Sequence, residues 1–116
     1  MRPRFTTVEF PVFAGFIVHI EITKDIQKAI KKYPGIASIA GPEDDETDGT
    51  TVYDGGQVCF IFLKPNVSAG TIAHEAWHAT RYMLKRVGAK LDSEVVAYHL
   101  GYIVDKSYQF LRGRRG

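Results

Sequence analysis

Cysteine is almost missing from this chain. Cys59 stands alone among 116 residues, so no intrachain disulfide can staple the fold, and a domain of this size must rely on packing or a bound metal. Long apolar runs are also missing. Every candidate stretch is broken by Gly, His or Glu, which excludes a helical bilayer span. The N-terminus lacks the apolar run and small-residue cleavage site of a secretory signal, so the expectation is a soluble cytoplasmic protein. Neither sign of charge dominates. The net charge is +2, with the excess at the two ends, Met1-Arg2-Pro3-Arg4 and Arg112-Gly113-Arg114-Arg115-Gly116. No nucleic-acid-binding motif accompanies these ends, so they read as solvated, with 113–116 a mobile basic tail. Internal repeats, linkers and a second hydrophobic unit are absent, which leaves one domain over 1–116.

An apolar fraction of 45% and a charged fraction of 24% fit an ordinary globular domain. Residues 5–22 look β-rich, since Phe16, Val18 and Ile20 alternate with Ile17, His19 and Glu21, with a bend at Ala14-Gly15. Asp25 to Tyr33 has helical spacing, capped by Thr23 and stopped by Pro34-Gly35. The stretch 41–50 is acidic and turn-rich. It lacks the spacing of a calcium loop and reads as a surface excursion. Two strands, 50–53 and 57–63, meet at the turn Asp54-Gly55-Gly56. Ser68 caps a helix that runs to about Val87 and ends at Gly88. Asp92 or Ser93 caps another running to about Leu111. The plan predicts an α+β domain with an antiparallel or mixed sheet of three to four strands.

The chemistry concentrates in His74-Glu75-Ala76-Trp77-His78. On a helix, residues four apart lie one turn apart on one face, so His74 and His78 can offer two imidazole nitrogens to one metal ion. Glu75 projects beside that site, where a general base acts on water. The helical wheel assigns Ile72, Ala76, Ala79, Thr80, Met83 and Val87 to the core, with Ala73 and Leu84 at its edge. It places His74, Glu75, His78, Arg81 and Tyr82 on the other side.

A catalytic zinc site takes three protein ligands and keeps one position open. Asp92, Glu94, His99, Asp105, His19, Cys59 and the acidic loop are the candidates for the third. Glu94 sits in an otherwise apolar stretch of the last helix, where a buried carboxylate is costly unless paired or bound to metal. Ala97 and Gly101 beside it favour close approach to the histidine helix. The bland alternative makes Glu94 a first-turn acid complementing the helix dipole.

The pentad followed by Glu94 on the next helix resembles the gluzincin class of zinc metallopeptidases. The shortness of the chain resembles their minimal forms, minigluzincins and related phage-encoded proteins, over about residues 55–105. The resemblance implies a small zincin-like domain whose sheet packs on an active-site helix and a glutamate helix. It implies one zinc ion bound by His74, His78 and Glu94, with Glu75 as general base and proton shuttle. It also implies that a peptide or protein substrate lies along an edge strand above the active helix, for which 57–63 is the expected strand. Glu94 follows His78 at a shorter interval than in large members, and little chain remains for a second cleft wall. The expected reaction is amide hydrolysis, with Tyr98, one turn after Glu94, donating to the oxyanion. The alternative is a non-catalytic or latent domain stapled by the same metal.

Overall fold

The computed structural model describes residues 5–9, 16–40, 48–90 and 92–115. Its order is β1 (Phe5–Glu9), β2 (Ile17–Ile22), α1 (Ile26–Lys31), α2 (Pro34–Ala40), β3 (Gly49–Tyr53), β4 (Val58–Leu63), α3 (Ala69–Arg86) and α4 (Ser93–Arg115). The strands form one mixed sheet in the order β1-β2-β4-β3. β1 is antiparallel to β2, β2 parallel to β4, and β3 antiparallel to β4. A parallel β2–β4 pair needs a crossover, and α1, α2 and β3 supply it. The expected α+β class and mixed four-stranded sheet are therefore present.

Alternation along the strands divides the core in two. Val18, Ile20 and Ile22 of β2, with Cys59, Ile61 and Leu63 of β4, pack on one face with Ile72, Ala76, Ala79, Met83 and Leu84 of α3 and with Ile103 and Leu111 of α4. Val52 and Phe62 face the other way, against Ile26, Ala29, Ile30 and Ile36. On the first face α3 lies over β3 and β4, while α4 packs on α3 and reaches β1.

Several local expectations change. The N-cap of α1 is Asp25, whose side chain accepts from the Lys28 amide at 3.0 Å; Thr23 instead accepts from the Asp25 amide. Pro34 does not end helical structure but starts α2, as a proline can in a first turn where its missing N–H has no partner to lose. Ser68 caps α3 as expected, accepting from the Thr71 amide at 3.1 Å. α3 closes on Gly88, which has φ of 73°. The Gly88 and Ala89 amides bond back to the carbonyls of Lys85 and Leu84, a Schellman ending. Asp92 caps α4 by accepting from the Glu94 amide at 2.8 Å. α4 continues to Arg115, past Leu111 and into the stretch expected to be a tail. The bend at Ala14-Gly15, most of the acidic loop (41–47) and Gly116 lie outside the described residues.

Candidate functional site

α3 exposes its histidines because its buried side is fixed elsewhere. Ile72, Ala76, Ala79 and Met83 must face the sheet, which turns His74 outward and leaves His78 half-buried. The two Nε2 atoms meet at 3.3 Å, and the rings stand nearly edge to face, 4.8 Å apart at 77°. Two nitrogens bound to one tetrahedral zinc at about 2.0–2.1 Å lie about 3.3–3.4 Å apart. The same distance fits one ring N–H donating to the other ring's nitrogen.

Glu75 departs from the expectation of an outward side chain. It is buried, with 6% exposure, because β3 runs along this flank of α3. The Thr51 hydroxyl donates to Glu75 Oε1 at 2.7 Å and stands 3.2 Å from the Glu75 carbonyl oxygen. Gly49 allows the close approach: a Cβ there would meet Thr71 Cγ2 at 3.0 Å and Glu75 Cγ at 3.1 Å. Further along, Tyr53 stacks on Tyr82 with ring centroids 5.1 Å apart. A cavity of about 470 Å³ opens between the start of β3 and the first half of α3, lined by Asp48, Gly49, Thr71, His74 and Glu75 among others.

The other candidates are placed elsewhere. Glu94 was expected to be buried against α3. It is exposed instead, on the first turn of α4, while His78 stands eight residues, about two turns, before the end of α3. Among the described residues no third His, Cys, Asp or Glu joins the histidine pair in a ligand group. Ala97 and Gly101 are exposed as well, and Tyr98 is 71% exposed. One side of α4 thus faces solvent, against the expectation of a helix buried between layers. His99 is buried, and its Nδ1 donates to the Val95 carbonyl at 2.8 Å. Cys59 is fully buried in the core and burial pushes its thiol far up, so it acts as a small apolar residue.

His19 lies on the opposite face of the sheet in a polar cluster of its own. Buried Glu21 accepts from the Tyr33 hydroxyl at 2.5 Å and from Lys32 Nζ at 3.0 Å, with His19 Nε2 3.3 Å away. The cluster ties the end of α1 to β2 and is separated from His74 by the sheet.

The strand expected to hold substrate, 57–63, cannot do so. β4 lies between β2 and β3 and is paired on both sides. β3 is the edge strand on the side of the site.

Comparison with known proteins finds no matching family model, no similar curated protein and no similar solved structure.

The contacts of Thr51 and Gly49 with α3 were not legible in the sequence. Nothing in their local sequence signals a partner on α3, and only the pairing of β3 with β4 under that helix makes the contact.

Proposed function

We propose that this chain is a zinc-dependent hydrolase of the metallopeptidase type, with a zincin-like site built on α3. The observation that carries the reading is the 3.3 Å approach of the two Nε2 atoms, with Glu75, hydrogen-bonded by Thr51, lining the same opening as His74. His74 and His78 would hold the ion. When bound, it supplies Lewis acidity, polarising a carbonyl and acidifying water.

Glu75 is the general base, taking a proton from water and passing it to the leaving amine. Its carboxylate follows the first histidine directly, and its burial beside β3 keeps it in reach of the same opening. A structural zinc site needs no such base. Glu94 is the proposed third ligand, and Tyr98 the proposed oxyanion donor. They stand one turn apart on the exposed side of α4.

A peptide substrate would pair with β3 rather than β4. Main-chain bonds at Asp48·Lys64 and Asp54·Val58 set the alternation of the β3–β4 ladder. That alternation turns the main-chain groups of Gly49, Thr51 and Tyr53 to the free edge.

The test is Glu75→Gln. It is expected to keep zinc affinity and thermal stability and to lose peptide hydrolysis by about 10²- to 10⁴-fold. A variant that cleaves a mixed peptide pool as fast as the wild type would leave a non-catalytic metal-stapled domain as the better reading. Glu94→Gln is expected to weaken zinc binding in a calorimetric titration; unchanged affinity removes Glu94 from the ligand set.

A further inference from the structure

We propose that Thr51 is the positioning residue for Glu75, holding the base from the same strand edge along which a substrate would lie. The proposal rests on the reading of Glu75 as the base. A glutamate side chain has three rotatable bonds and two oxygens, and general-base catalysis gains from an oxygen oriented within hydrogen-bond reach of the proton it takes. Two contacts from β3 provide that restraint. The Thr51 hydroxyl reaches Oε1 at 2.7 Å. It carries a single proton, so this shorter contact takes it ahead of the 3.2 Å approach to the Glu75 carbonyl. Oε2 is then the oxygen left for water. The stem is confined by Gly49, where even one added carbon would sit 3.1 Å from Glu75 Cγ.

Threonine suits the task because its β-branch restricts χ1, which fixes the hydroxyl direction in a way serine does less well. The strand register adds a second consequence. Thr51 opposes Ile61 at a position where main-chain N–H and C=O turn to the free edge, while its side chain turns to α3. One residue therefore meets both a strand added at the edge and the carboxylate that acts on it. Seating a peptide on β3 stiffens the residue that aims the base. Nothing in the H-E-x-x-H pattern contains this contact.

Thr51→Val keeps the shape and the β-branch and removes only the donor; Thr51→Ser restores it. In metal-free protein carrying selectively ¹³C-labelled glutamate, the motional order of Glu75 Cγ is expected to fall in Thr51→Val and to return in Thr51→Ser. With zinc bound and a mixed fluorogenic peptide pool as substrate, Thr51→Val is expected to lose about 10- to 100-fold in kcat. KM and zinc affinity should stay within about twofold, and Thr51→Ser should recover most of the rate. Unchanged Glu75 order in Thr51→Val overturns the proposal, as does a loss confined to KM. If the wild type cleaves nothing, the assignment of Glu75 as base falls, while the order measurement still decides whether Thr51 holds it.

Discussion

His74 and His78 place their Nε2 atoms 3.3 Å apart on the outer surface of α3. Two imidazoles that close, one turn apart on one helix face, stand at a spacing that one tetrahedral ion would also impose on two nitrogens. The first prediction follows from this pair. Zinc at a hundredfold excess over its Kd should stabilise the fold by about 2.7 kcal/mol, on the order of 10 °C in Tm for a domain of this size. His74→Ala and His78→Ala should each abolish most of the shift. Calorimetry with and without zinc checks it, and an equal shift in both variants would place the metal elsewhere.

Gly49 should resist substitution. The Cβ of Gly49→Ala meets Thr71 Cγ2 at 3.0 Å and, in the packed core, Leu63 Cδ2 at 3.1 Å. A cost of about 1–3 kcal/mol is expected from overpacking, measured by urea denaturation. A neutral result would mean that β3 moves away from α3 freely.

Glu21 is the centre of the polar cluster on the far face. It is 1% exposed and accepts from Tyr33 and Lys32. Glu21→Ala removes the common acceptor and leaves the Tyr33 hydroxyl and His19 ring without it in a largely buried setting. A loss of about 3 kcal/mol is expected, with zinc affinity unchanged because the sheet separates the two sites. Chemical denaturation and a zinc titration on the same variant test both halves.

Acid should destabilise the protein in two steps. Burial holds His19 below its ordinary value of 6.5, against the opposing pull of Glu21. Burial pushes Glu21 upward, but its hydrogen bonds from Tyr33, Lys32 and His19 outweigh that and leave it below 4.5. In both cases the unfolded chain takes up the proton first as pH falls. The stability His19 contributes is full above about pH 6.5 and is lost as pH falls through its folded value. Glu21's contribution is full above about pH 4.5 and is lost below it. Denaturant midpoints measured from pH 8 down to about pH 2.5 should decline in two stages, first below the mid-sixes and again below about pH 4.5. His19→Gln should flatten the upper part of that decline and leave the lower part.

Much of this architecture was written in local sequence. The cap at Ser68, the stop at Gly88, the turn Asp54-Gly55-Gly56 and the two terminal helices follow from side chains that act within a few residues of themselves, so they could be read without the fold. The pentad is of the same kind: i and i+4 on one helix need no tertiary information to face one way. Glu94, Tyr98 and the 57–63 strand were harder. Their roles depend on which flank of α3 each neighbour takes, and a helical wheel does not say which strand or helix lies on which side.

The sequence by itself determined that His74 and His78 converge and that an α+β domain carries them. Tertiary structure decided the rest. It set β4 in the middle of the sheet and β3 at its edge, buried Glu75 under Thr51, and left Glu94 and Tyr98 on the exposed face of α4. The physical reason is range. Helix periodicity and capping are settled by bonds spanning four or five residues, whereas the contact between Thr51 and Glu75 spans 24 positions and exists only once β3, β4 and α3 have packed together.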